Sequence, residues 1–158
     1  MKQLLLSLLV ITFLLQSCKK DELTQAKAYI KNTTTHSIKI LFYKSGLVSA
    51  NDTIKLTTNQ EIEIANGPLR GLIKAPAFNS NYFGSSNDSM VVIFDNLYRV
   101  THYGTLPINL TSKYYDFASL RHIGNPKSYI FTSTQVASTK LENVHRYEFV
   151  EADYNYAR

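Results

Sequence analysis

Ser89-Met90-Val91-Val92-Ile93-Phe94-Asp95-Asn96-Leu97-Tyr98-Arg99-Val100-Thr101-His102-Tyr103 is the stretch whose reading decides the fold class. Residues 90–94 form a short continuous apolar run, as expected of a strand covered on both faces. Asp95-Asn96 follows, a pair that tolerates the positive φ of a tight hairpin turn. Residues 97–103 then return as a second strand. A two-residue loop would set Phe94 opposite Leu97, Val92 opposite Arg99 and Ser89 opposite His102. It would place Val91, Ile93, Tyr98 and Val100 on one shared core face.

The same pattern spreads outward. Ala26, Ala28 and Ile30 alternate with Lys27, Tyr29 and Lys31, and Ile38, Ile40 and Phe42 alternate with Lys39, Leu41 and Tyr43. Residues 53–57 and 61–65 read as a hairpin around Thr58-Asn59-Gln60. Asn66-Gly67-Pro68 reads as a break, with residues 69–74 a further strand beyond it. Residues 127–133 and 145–150 bring the count to about nine strands. The one helical candidate is 112–122, capped by Ser112, with Tyr115, Ala118 and His122 near one face. The expectation is all-β: an antiparallel β-sandwich of about nine short strands with at most one short helix. Nothing repeats at a fixed period, which argues against a solenoid or propeller.

Composition narrows the class. The chain has 158 residues, 44% hydrophobic and 12% aromatic, enough for one packed domain and too apolar for disorder. Its net charge of +5 is scattered without a block of like charge, so no nucleic-acid partner is expected. A single cysteine excludes an internal disulfide and any multi-cysteine metal site.

That cysteine sits in an informative place. Residues 1–17 carry Lys2, then an apolar run over 4–15 that is too short for a bilayer span and suits a signal peptide. The run ends in Leu15-Gln16-Ser17-Cys18, which resembles a bacterial lipobox. The resemblance implies cleavage before Cys18 and acylation of that residue. Lys19-Lys20-Asp21-Glu22 resembles the surface-export signal of lipoproteins from Bacteroidota. It implies an outer-membrane, lipid-anchored protein facing the extracellular side. The expected organisation is 1–17 signal peptide, 18–25 lipidated tether and 26–158 a single β-sandwich domain.

The mature chain as a whole resembles small Bacteroidota surface lipoproteins. The matching features are residues 17–22, the early Tyr29-Ile30-Lys31-Asn32, the 91–96 run, Arg99-Val100-Thr101-His102-Tyr103, Tyr147-Glu148-Phe149 and Glu151-Ala152-Asp153-Tyr154. The resemblance carries over no catalytic residue.

Candidate chemistry is sparse. Ser89 opposite His102 invites a nucleophile–base reading, but Asp88 alternates to the other face and no G-x-S-x-G elbow exists. His36, His102, His122 and His145 are far apart in sequence and expected at the surface or at hairpin ends, with no metal. Glu151, Asp153 and Asn155 recur every second residue as calcium ligands can, yet lack the glycine and distal glutamate of a calcium loop. A solvated strand end is the expectation there. The loop Phe78-Asn79-Ser80-Asn81-Tyr82-Phe83 offers rings for stacking on sugars and amides for their hydroxyls. Phe78, Asn79, Asn81, Tyr82 and Phe83 are therefore candidate ligand contacts, although the rings could equally close the end of the core. Asp52-Thr53-Ile54 and Asp88-Ser89-Met90 resemble the Bacteroidota O-glycosylation triplet, which marks Thr53 and Ser89. The functional expectation is a non-enzymatic binding or accessory module without a cofactor. Its partners would be the membrane, through the lipid anchor, and a glycan or another envelope protein. A cell-envelope hydrolase and a structural subunit of an outer-membrane assembly remain the alternatives.

Overall fold

Strict two-residue alternation builds the first strands, because successive side chains of a strand point to opposite faces. In β1 (Leu23–Asn32), Thr24, Ala26, Ala28, Ile30 and Asn32 are buried, while Lys27, Tyr29 and Lys31 are half-exposed. In β2 (Ile38–Lys44), Ile38, Ile40 and Phe42 face inward. The computed structural model describes residues 23–48, 53–71, 89–105, 107, 109–110 and 113–158. Cys18, Lys19, Lys20, Asp21 and Glu22 lie outside the described residues, as do Phe78, Asn79, Asn81, Tyr82 and Phe83.

The remaining strands and the α-helix are β3 (Leu47–Val48), β4 (Ile54–Leu56), β5 (Glu61–Arg70), β6 (Ser89–Phe94), β7 (Tyr98–Tyr103), β8 (Tyr114–Tyr115), β9 (Ile130–Ala137), β10 (Lys140–Phe149) and α1 (Glu151–Ala157), with a 3-10 turn at Pro126–Ser128. One sheet runs β5-β1-β10-β9. The other runs β3-β2-β6-β7-β8, with β4 beside β2. The all-β sandwich with one short helix is borne out. Both sheets are mixed, because β1 pairs with β10 and β7 with β8 in parallel, and the other pairs are antiparallel. Phe42, Val92 and Phe94 of one sheet meet Ile30, Tyr147 and Phe149 of the other. Phe94 and Phe149 touch edge to face across this core, with centroids 6.1 Å apart.

Several expectations are corrected. The Asp95-Asn96 turn forms, with φ of 51° and 58°, and Leu97 N–H donates to the Phe94 carbonyl at 2.9 Å. Leu97, however, is an extra residue left outside the ladder and is 66% exposed. The register therefore slips by one: Phe94 faces Tyr98, Val92 faces Val100 and Met90 faces His102, while Ser89 faces Tyr103. A one-residue slip reverses the faces of a strand. Met90, Val92 and Phe94 are buried, and Val91 and Ile93 turn outward.

The hairpin expected around 58–60 is instead a corner between sheets. β4 joins β2, and β5 joins β1. β5 also runs straight through Asn66-Gly67-Pro68, which an edge strand tolerates because Pro lacks only an outward donor there. Residues 23–25, expected as tether, already pair with β10. Among the described residues of 112–122 there is no helix. Turns closed by Ser119 N–H to the Asp116 carbonyl and His122 N–H to the Ser119 carbonyl replace it. The Asp116 side chain also takes the Ser119 N–H, and the Ser119 hydroxyl takes that of Arg121. Such side chains compete with helix propagation. The helix lies instead at 151–157, where Asp153 reaches back to the Val150 N–H at 2.9 Å.

Candidate functional site

Two crossings between the sheets converge on one amide. Asn32 is fully buried where β1 leaves for β2 and β4 leaves for β5. Its Nδ2 donates to the His36 carbonyl at 2.7 Å and the Thr57 carbonyl at 3.1 Å. Its Oδ1 accepts from Thr34 N–H at 3.0 Å and the Thr34 hydroxyl at 2.7 Å. This polar centre is structural, since every lone pair and proton it offers is spent on the backbone frame.

The histidines are structural too. His102, His122 and His145 are buried, contrary to the expectation of surface positions. The His102 and His122 rings sit edge to face, centroids 5.3 Å apart. His102 Nδ1 accepts the Ile123 N–H, and His122 Nδ1 accepts the Gly124 N–H, each at 3.0 Å. Both rings are therefore the neutral tautomer protonated at Nε2. A metal could use Nε2 only by moving that proton to Nδ1, where backbone N–H groups already point. Burial holds His102 well below the usual imidazole range, helped by repulsion from His122 when that ring is protonated and from Arg121. Burial likewise brings His122 down to about 4, opposed by the Tyr103 carbonyl and the Asp116 charge. No group of three metal-ligating side chains occurs among the described residues. A neutral pair with both acceptor nitrogens occupied is poorly placed for proton transfer.

His36 is held differently. Its Nδ1–H donates to Asp95 at 2.5 Å, and Nε2 stands 3.5 Å from Glu151. Asp95 also accepts from the Ser37 N–H and hydroxyl. The His36 bond is the main reason the Asp95 carboxyl lies below its ordinary value, with burial opposing and Ser37 assisting. Glu151 accepts from the Thr35 N–H and hydroxyl. Asp153 is buried against Arg121, whose guanidinium also reaches the Glu148 carbonyl at 2.8 Å. Glu151 and Asp153 are thus committed to different partners, which removes the calcium arrangement.

Ser89 opens β6 on the outward face between Tyr43 and Tyr103, away from His102. Thr53 is half-buried just before β4. Both O-glycosylation candidates are therefore placed, but neither meets a catalytic partner among the described residues.

What the structure brings together, and sequence reasoning missed, is an open groove of about 330 Å³ on the outer face of the six-stranded sheet. Ser37, Lys39, Lys55, Thr57, Gln60, Ile93 and Asn96 line it. Lys39 stands directly opposite Lys55 on the neighbouring strand. The signal was present as Ile38-Lys39-Ile40 and Ile54-Lys55-Leu56, two apolar–lysine–apolar triplets, but their pairing depends on the sheet order. No family model, curated protein or solved structure matches this chain.

Proposed function

We propose that this chain is a non-enzymatic binding or accessory module, exported and held at the outer membrane by lipid on Cys18. In this reading Lys19, Lys20, Asp21 and Glu22 direct it to the extracellular side. The observation that carries the non-enzymatic part is the disposition of the histidines. His102 and His122 are locked by backbone donors, and His36 is clamped between carboxylates, so the best proton carriers serve the frame. The groove beside Lys39 and Lys55 supports binding, because two ammonium groups without an acidic partner among the described residues line a concave surface on a rigid sheet.

The test is to present the purified full-length chain, in neutral detergent, with a panel of neutral and acidic glycans while monitoring product release. Binding without turnover is the expected result. Release of shortened glycan would replace this reading with that of a cell-envelope hydrolase.

A further inference from the structure

We propose that the groove binds an acidic polysaccharide, whose repeating anionic groups span a row of cations formed by Lys55, Lys39 and Arg99. The proposal rests on the binding-module reading and adds the ligand class.

Register sets the row. Lys55 of β4 opposes Lys39 of β2, Lys39 opposes Ile93 of β6, and Ile93 opposes Arg99 of β7. Directly opposed residues share a face, so one rung across four strands presents three cations and one aliphatic side chain. Neighbouring strands lie about 4.8 Å apart, so Lys55 and Lys39 are one such step apart and Arg99 lies two steps further.

Like charges directly opposite one another destabilise a sheet. Among the described residues no carboxylate pairs with them. Lys27, Arg121 and Arg146 all have acidic partners, whereas among the described residues Lys39, Lys55 and Arg99 have none. An anion laid between Lys39 and Lys55 removes the repulsion, so the pair is costly when empty and favourable when filled.

The rest of the lining suits a sugar chain. Ile93 gives an apolar floor for ring C–H groups. Gln60 uses Oε1 to accept from the Thr57 N–H and hydroxyl, which fixes its amide and leaves the NH₂ as a donor. Asn96 adds an amide at the rim, where the Ser37 hydroxyl is held by Asp95. Among the described residues no aromatic ring lines the groove, and base stacking is what single-stranded nucleic acid sites rely on. The groove is open and the cation row crosses four strands, which favours a polymer carrying carboxylates or sulfates at intervals over a lone small anion.

The experiment measures binding of the full-length chain, in neutral detergent, to immobilised polygalacturonate and dextran sulfate, with neutral dextran and a single-stranded DNA oligonucleotide as comparators. One or both acidic polysaccharides should bind, the two arms separating carboxylate from sulfate recognition, and affinity should fall as salt rises. Lys39→Ala with Lys55→Ala should weaken binding about tenfold or more, as expected for lost charged hydrogen bonds. Lys127→Ala with Lys140→Ala removes the same charge elsewhere and should leave binding within about twofold if the effect is local. The first double variant should keep or raise its melting temperature. Equal weakening by both double variants, a lower melting temperature in the first, tighter binding of DNA, or no binding of either polyanion would overturn the proposal. If a neutral glycan binds and the Lys39/Lys55 variant is unaffected, the ligand class fails while the binding-module reading stands. Product release would instead sink that reading.

Discussion

The His36 imidazole lies flat on the Tyr154 ring, with centroids 3.5 Å apart and planes 10° from parallel. The same imidazole bonds Asp95 of the β6–β7 turn and approaches Glu151 of α1. One side chain therefore fastens the β1–β2 crossing to the hairpin tip and to the helix. Stacked pairs contribute about 0.5–1.5 kcal/mol beyond area burial. A double-mutant cycle of His36→Ala and Tyr154→Ala, read by urea unfolding, should return a coupling of about 1 kcal/mol. Additive single effects would show that the stack contributes nothing.

Asn32 should be the most sensitive polar residue of the frame. Asn32→Ala removes the Nδ2 bonds to the His36 and Thr57 carbonyls and leaves the buried Thr34 N–H without its acceptor. The expected loss is about 2–4 kcal/mol, from a small number of unsatisfied buried groups. Asn32→Asp should be worse, because a carboxylate would face two carbonyl oxygens. Thermal unfolding of both variants checks the order, and a harmless Asn32→Asp would show that the Nδ2 bonds do not matter.

Acid should unfold the domain through its buried histidines. In the unfolded chain they take up a proton near 6.5, whereas folded His102 stays well below that and His122 titrates at about 4. Between those values the unfolded state holds more protons, so stability falls as pH falls. The slope approaches about 1.4 kcal/mol per pH unit for each histidine, and it vanishes above the unfolded value. Denaturant midpoints at pH 7, 6 and 5 would measure it. His102→Leu and His122→Leu should each flatten the dependence; an unchanged slope in both would assign acid sensitivity to other groups.

The anchor can be tested apart from the domain. If Cys18 carries the proposed lipid, wild type should incorporate labelled palmitate and Cys18→Ser should not, and the variant should lose the stable membrane retention that two or more acyl chains give. Changing Lys20, Asp21 and Glu22 together to Ala should preserve labelling but protect the protein from protease added to intact cells. Equal shaving of wild type and the triple variant would reduce Lys20, Asp21 and Glu22 to a spacer.

The strands were legible wherever one face is buried, because Ala26, Ala28 and Ile30 or Ile38, Ile40 and Phe42 announce a period of two. The turn at Asp95-Asn96 was legible from its tolerance of positive φ. The register was not, since Leu97 could be placed inside or outside the ladder, and only its tertiary surroundings decide. Glu151, Asp153 and Asn155 looked like a strand end by spacing alone. Asp153 makes them a helix by closing on Val150 and pairing with Arg121, thirty-two residues away in sequence. The groove and the His102–His122 contact share that cause: each joins strands or loops whose adjacency no local pattern encodes.

The position of β1 also sets how the domain carries mechanical load. β1 lies between β5 and β10, with ten consecutive rungs on its parallel side. A pull on its N-terminal end, directed away from the domain, runs along the strand axis and shears both ladders at once. The backbone bonds must then fail together, whereas the β9–β10 hairpin opened from its free end yields one rung after another. Single-molecule pulling with handles before Leu23 and on Lys55 should therefore give one high-force rupture. Handles on Ile130 and Arg146 should give early, low-force unzipping. A domain gripped at Leu23 and loaded through the face that bears Lys55 would resist drag through its strongest direction.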